Sequence, residues 1–377
     1  MRVLHVYSGN LYGGVERLLR TLAEERAACP AMEPSFALCF DGQIARELRD
    51  TGATVDLLAP ARLSRPWTVL RARRALARVI RDRRPDVVLL HSVWPLVVLG
   101  PVPLALGVPT ALFLHDLLGT HPLERWARTL RPALVLCNSA FVAASARGAF
   151  GGAEVAVVPL PVPAPPAGSQ LSRDAVRSEL GAPPGAVVVL MASRLERWKG
   201  HSLLLDALGA LRADPSWRCW ITGGPQRPHE RAYLDELRAR ALRLGIAERV
   251  RFLGHRADMP GLMAAADIHC QPNLGPEPFG IAFVEAMHAG LPVVATALGG
   301  APEVVPETAG LLVAPRADEV AAALSRLLGS PELRASLGQA GQAHARDFFS
   351  PARRAAELTA RLERLTSIPA PTAATVA

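Results

Sequence analysis

The sequence predicts an α/β protein made of two doubly wound parallel sheets, one following the other along the chain. Three observations predict it. Strand-like and helix-like patterns alternate through residues 1–160, they alternate again from residue 186, and a proline-dense run that neither element tolerates separates the two series. Half of the 377 residues are hydrophobic and only 5% are aromatic, so an Ala/Leu/Val-rich globular chain with two cores of ordinary size is expected.

In order, strand-like Val3–Tyr7 enters a loop ending in Gly13-Gly14, and an amphipathic helix runs from there to about Glu25. A strand over Phe36–Phe40, a helix over Gln43–Thr51 and a strand over Val55–Leu58 follow. An arginine-rich helix ends before Pro85, and buried strands are expected at Asp86–His91, Thr110–Asp116 and Leu134–Asn138. The apolar stretch from Val87 to Leu114 is interrupted by His91, Pro95, Gly100, Pro101, Pro103, Gly107 and Pro109. It therefore reads as two strands with a helical connection rather than a bilayer helix. Residues 161–185 are expected to be a Pro-rich linker. The second series occupies 186–348: strands at Ala186–Ala192, Trp217–Thr222, Val250–Leu253 and Ile268–Gln271, with helices after Gly200, over His229–Leu244 and over Ala317–Leu328. A final helix is expected within 349–366, and 367–377 reads as a disordered tail.

The five cysteines are scattered and odd in number, which favours buried free thiols over a disulfide framework or a metal site. The N-terminus reads as a strand entering a glycine loop, not as a signal peptide. The net charge of +8 is uneven: residues 1–160 carry 19 basic and 13 acidic side chains, the remainder 23 and 21. Nine arginines lie between Arg62 and Arg84 against one acid, Asp82. No aromatic platform or nucleic-acid motif accompanies them, so no nucleic-acid partner is expected.

The most informative stretch is Glu277-Pro-Phe-Gly-Ile-Ala-Phe-Val-Glu285-Ala-Met-His-Ala-Gly290-Leu-Pro-Val-Val-Ala-Thr-Ala-Leu-Gly-Gly300. Pro278 and Gly280 break the chain, a helix begins at Ile281, and Gly290 is placed to end it before a buried strand. The amides of Gly280, Ile281 and Ala282 then point out of a helix N-terminus, a place suited to an anionic phosphate. Glu277 and Glu285 flank that position. Read alone, Glu285 equally well favours the helix dipole and Glu277 is a solvated loop charge.

Taken whole, the stretch resembles the Glu-x7-Glu signature of the retaining nucleotide-sugar glycosyltransferases of family 4, whose GT-B fold has two facing Rossmann-like domains and a C-terminal helix crossing back to the first. The resemblance covers nearly the whole chain and is strongest over 186–315. It implies a nucleoside-diphosphate sugar donor, Glu277 on hydroxyls of the donor sugar, Glu285 on the ribose and the helix amides on the diphosphate.

Further residues fall into place around it. Arg194 and Lys199 follow the first strand of the second series, where side chains point into the ligand crevice of an open α/β sheet. Lys199 is the only lysine among 42 basic residues, in a chain that otherwise uses arginine throughout. A compact ammonium there suits a phosphate, against the plainer reading of an exposed charge. Gly13 and Gly14 form either a tight turn or a close approach to phosphate; the resemblance implies the second, with the loop closing on the donor from the first domain. It also places His115 on the transferred sugar, with its carbonyl near the anomeric carbon. Asp116 is an acceptor contact or a turn cap, and His91 an acceptor contact or a core histidine. Asn138-Ser139 reads as a helix cap. In the arginine-rich helix, Val69, Ala72, Leu76, Val79 and Ile80 share one face and Arg71, Arg74, Arg78 and Arg81 the other. That basic face is either solvated or set against an anionic membrane.

With the resemblance, these features predict a metal-independent, cofactor-free transferase acting on a hydroxyl acceptor, lipid-linked or part of a surface glycan; retention of anomeric configuration is what the resemblance implies. The expected location is the cytoplasm, with a peripheral membrane option. Its rivals are a catalytically inactive nucleotide-sugar-binding scaffold of the same fold and a dinucleotide oxidoreductase, which lacks its Gly-x-Gly-x-x-Gly. One departure from the family pattern is Val158-Pro159-Leu160-Pro161-Val162, where the family commonly reads Val-Pro-Asn-Gly-Val.

Overall fold

The computed structural model describes residues 1–9, 13–165, 172–225 and 227–366. It divides into two compact units, Met1–Pro163 with the chain from Ser350 onward, and Ala164–Phe349.

In the first unit, strands β1 (Arg2–Tyr7), β2 (Glu33–Leu38), β3 (Thr54–Leu57), β4 (Val87–His91), β5 (Thr110–Leu114), β6 (Leu134–Cys137) and β7 (Glu154–Val157) form one parallel sheet in the order β3-β2-β1-β4-β5-β6-β7. Every residue of β4 and β5 is buried, as expected of central strands covered by helices on both faces. The winding reverses between β1 and β4, so the carboxyl ends of those two strands open a crevice where such sheets bind ligands. The segment from Val87 to Leu114 holds two strands joined by helices Val93–Leu99 and Pro101–Ala105. Among the described residues no helix is long and apolar enough to cross a membrane. The last helix, Pro351–Thr366, belongs to this first unit: Ala355, Leu358, Leu362 and Leu365 are buried, and it packs against helix Gly14–Glu24 and β4.

The second unit repeats the design with β8 (Val187–Ala192), β9 (Trp217–Thr222), β10 (Val250–Gly254), β11 (Ile268–Gln271), β12 (Val293–Thr296) and β13 (Gly310–Val313), ordered β10-β9-β8-β11-β12-β13. Its reversal lies between β8 and β11. Two doubly wound Rossmann-like sheets are thus present, as the GT-B resemblance implies. All five cysteines are free and buried.

The expected linker over 161–185 needs correcting. Ser172 caps a helix at Arg173–Glu179, accepting a bond from the Ala175 amide at 3.1 Å. Arg173 and Arg177 both clamp Asp267, whose Oδ2 also accepts from the Val188 amide at 2.7 Å. Residues 172–185 are therefore part of the second unit. Proline density ends at Pro166, and the chain beyond it has an ordinary helix sequence. The expected tail, 367–377, and residues 166–171 lie outside the described residues.

Candidate active site

At the reversal of the second sheet, two loops meet. The loop after β8 makes a tight turn at Arg197–Lys199, and Gly200 follows in the left-handed region with φ 80°. A Cβ on Gly200 would stand 1.7 Å from the carbonyl oxygen of Pro272, just beyond β11. Only glycine permits that approach. The amides of Leu274 and Gly275 both donate to the Trp198 carbonyl, at 2.7 and 3.2 Å, which fastens the loops together.

The approach brings Lys199 onto Glu277. Its Nζ lies 2.6 Å from Glu277 Oε2, and both side chains are nearly buried, 12% and 8% exposed. The same oxygen accepts from Gln271 Nε2 at 3.1 Å and from Asn273 Nδ2 at 2.8 Å. Lys199 also sits 4.0 Å above the Trp198 ring. Three donors thus fix one carboxylate oxygen, and none of the described residues donates to Oε1. Arg194 stands in the same loop, half exposed and paired with Glu196 at 3.1 Å; Glu196 also accepts from the Trp198 indole at 3.0 Å. Arg194 makes no recorded bond to Glu277.

The expected helix runs over Ile281–His288 with Gly280 as its N-cap, in the left-handed region at φ 93°. Glu277 is held at its entry through backbone: the Gly300 amide donates to the Glu277 carbonyl at 2.6 Å, and a Cβ on Gly299 would meet that carbonyl oxygen at 2.4 Å. Glu285 lies one turn inside the helix, partly exposed.

In the first unit, residues expected to line the site gather at the carboxyl ends of β1, β4 and β5. His115 follows β5, stacks on Phe113 at 4.5 Å, and its carbonyl accepts from Asn138 Nδ2 at 3.1 Å. Asn138 is thus a tether for His115, and Ser139 alone caps helix Ala140–Ala146 through the Val142 amide. His91 is completely buried, and its two ring nitrogens meet His5 Nδ1 at 3.0 Å and His115 Nε2 at 3.1 Å. No polar atom of that ring remains for an acceptor, so of the two readings of His91 the satisfied core histidine is the one found. Asp116 is exposed beside His115. The Gly13 amide donates to Glu16 Oε2 at 2.8 Å, and Gly14 opens the helix Gly14–Glu24. Residues 10–12 of that loop lie outside the description.

The arginine-rich helix spans Pro66–Arg83 and buries Ala72, Leu76 and Ile80. Arg71, Arg74, Arg78 and Arg81 are exposed, and no acidic partner is recorded for any of them among the described residues. Arg73 turns inward instead, donating to the Val98 carbonyl at 2.7 Å. Trp67 and Leu70 of the same helix and Leu63 just before it are exposed as well, at 67%, 49% and 42%.

Comparison with known proteins places this geometry. The model described as Glycosyltransferase Family 4 matches residues 12–164, and that described as Glycosyl transferases group 1 matches residues 172–344. The chain belongs to the family-4 glycosyltransferases. Among similar proteins of this family's fold, the Anabaena protein Alr3699/HepE, solved in complex with UDP and glucose, is 26% identical. That match covers 97% of this chain and all of that one, with a TM-score of 0.83. A D-inositol 3-phosphate glycosyltransferase of Corynebacterium glutamicum is 37% identical over 188 residues, covering 48% of this chain and 44% of the relative. A GDP-mannose-dependent monoacylated alpha-(1-6)-phosphatidylinositol monomannoside mannosyltransferase from the same species is 34% identical over 182 residues, covering 46% of each. The match thus spans less than half the length of these curated relatives.

Several residues around Glu277 carry little signal in the sequence. Gln271 ends an expected strand and Asn273 follows it, and their positions six and four residues before Glu277 are the only signal they carry; Trp198 is marked only by its place beside Lys199. His5, in mid-strand, gave none.

Proposed function

We propose that this family-4 protein transfers a sugar from a nucleoside-diphosphate sugar to a hydroxyl acceptor, with retention of anomeric configuration and without a metal. The observation that carries the reading is the Lys199–Glu277 contact of 2.6 Å at the reversal of the second sheet. It supplies, at one point, a cation for a phosphate and a carboxylate for a sugar hydroxyl. Family membership and the likeness to a protein solved with UDP and glucose support the donor class.

In this mechanism the departing diphosphate gathers negative charge, which Arg194, Lys199 and the amides of Gly280, Ile281 and Ala282 offset. Because Lys199 is already fixed by Glu277 and Trp198, little reorganisation accompanies the reaction, and each such donor is worth about a hundredfold or more in rate. Glu277 receives a donor-sugar hydroxyl at Oε1, Glu285 the ribose, and His115 the transferred sugar. Gly14 has a backbone suited to a phosphate, and Gly13 has one only if its amide leaves Glu16. Asp116 remains the residue for an acceptor contact.

The name of the C. glutamicum mannosyltransferase supports a lipid-linked acceptor. A helix that exposes Arg71, Arg74, Arg78 and Arg81 as well as Trp67 and Leu70 fits an anionic bilayer surface, the arginines for headgroups and the apolar tips for the interface. The protein then works peripherally at the inner face of the membrane, from the cytoplasm.

The test is a panel of UDP- and GDP-sugars screened for thermal stabilisation of the protein, followed by transfer and donor-hydrolysis assays with the sugar that stabilises it. Lys199→Ala and Glu277→Ala are each expected to remain folded and lose most turnover. Near-normal rates in both remove the assignment, and tight donor binding with neither transfer nor hydrolysis in the native protein identifies an inactive scaffold instead.

A further inference from the structure

The three buried histidines of the first unit form one continuous chain. His5 lies opposite Leu89 in the β1–β4 register, and His91 opposite Phe113 in the β4–β5 register. His91 is two residues beyond Leu89 and His115 two beyond Phe113. All three rings therefore share one face of the sheet and step diagonally toward its carboxyl edge. The bonds His5 Nδ1 to His91 Nε2 and His91 Nδ1 to His115 Nε2 measure 3.0 and 3.1 Å, and the rings lie within 21° and 10° of parallel.

Burial pushes the His5 and His115 pKa values down to about 3 and that of His91 well below its ordinary value, so all three are neutral near pH 7. A neutral imidazole has one N–H and one lone pair. His91 must donate in one bond and accept in the other. The three protons are consequently locked together, either all on Nδ1 or all on Nε2. The two end atoms, His5 Nε2 and His115 Nδ1, are both buried without a partner among the described residues. With every proton on Nε2, the leftover N–H of His5 is sealed in mid-strand against Phe36, where an unpaired donor is a permanent cost. With every proton on Nδ1, the leftover N–H belongs to His115, which is also buried but lies just past the end of β5 at 7% exposure against 0% for His5, so that end is the one a sugar hydroxyl meets with the least displacement.

We infer that His91, backed by His5, is a positioning residue that holds His115 in the Nδ1–H form, so that His115 meets its substrate as a hydrogen-bond donor. This rests on the reading of His115 as the residue that contacts the transferred sugar. The tautomer itself, however, is measurable without any substrate.

The experiment uses the full chain labelled with ¹⁵N-histidine. Long-range ¹H–¹⁵N spectra at pH 7 are assigned among the ten histidines by single substitutions. The expected result is His5, His91 and His115 all protonated at Nδ1; a shared Nε2–H pattern, a mixture or a charged ring overturns the inference. A second arm compares His91→Asn, whose amide replaces Nδ1 and keeps the bond to His115, with His91→Gln, whose amide replaces Nε2 and keeps only the bond to His5. His115 is expected to stay Nδ1–H in the Asn variant and to lose that form in the Gln variant. The Gln variant should show kcat lower by about tenfold, the loss of one hydrogen bond, at a donor KM changed less than about twofold. Equal behaviour of the two, or the better rate in Gln, overturns the inference. If neither variant folds, the native spectrum decides alone. If the tautomers are as stated but His115→Ala turns over normally, the reading of His115 as a sugar contact fails while the locked chain stands.

Discussion

Gly200 lies against the carbonyl of Pro272 with no room for a methyl group, since a Cβ there would stand 1.7 Å from the oxygen. This contact sets how near the loop after β8 comes to the end of β11, and so whether Lys199 reaches Glu277. Gly200→Ala is therefore expected to cost about 2 kcal/mol or more of stability, since it adds a clash to a left-handed backbone. It should also lower turnover while leaving the first unit folded. Urea unfolding with a parallel transferase assay checks both; unchanged stability removes the constraint.

The Lys199–Glu277 pair makes a prediction independent of activity. Removing one partner strands a charge that is nearly buried, so Lys199→Met should destabilise by about 3–5 kcal/mol. Adding Glu277→Gln to that variant removes the stranded charge and should restore much of the loss. The comparison is a double-mutant cycle on urea midpoints, and additive costs would show that the two groups are not coupled.

Acid should weaken the fold through its buried histidines. His5 and His115 have pKa values lowered by burial from 6.5 to about 3, and His269 to about 4. Below about pH 6.5 the unfolded chain takes up protons that the folded chain refuses. Their stability contribution is thus complete above that pH and falls as pH drops toward 3. Among the described residues His269 has no partner on either ring nitrogen. His269→Leu should keep stability at pH 7 and flatten the decline between pH 6.5 and 4, as read from unfolding midpoints against pH; an unchanged slope contradicts it.

Sedimentation with vesicles tests the membrane reading. Anionic vesicles should retain the protein at low salt and release it at high salt, and neutral vesicles should not retain it. Replacing Arg74 and Arg78 by Gln should weaken binding by about 30-fold, at about 1 kcal/mol for each charge. Trp67→Ser should weaken it without changing the salt dependence. No preference for anionic vesicles ends the proposal.

Much of this was legible in the chain because its signals are local. Alternating buried runs give both sheets, and the glycines and proline around Ile281–His288 mark that helix at both ends. What was not legible depends on contacts between distant segments. Nothing near His5 announces that it meets His91, 86 residues later. Gln271 and Asn273 become informative only once Gly200 has brought Lys199 to Glu277. The linker was drawn too long because proline content locates where a connection begins, whereas Asp267, far along the chain, decides where it ends by binding Arg173 and Arg177.

The helix Pro351–Thr366 closes the first unit with the last described residues of the chain. During synthesis, Leu358 and Leu362 emerge from the ribosome only after the whole second unit has been made. The half begun first is thus the half finished last. A fragment ending at Pro163 should leave an oily scar on helix Gly14–Glu24 and at Cys29 and call for a chaperone, whereas Ala164–Phe349 carries its own core.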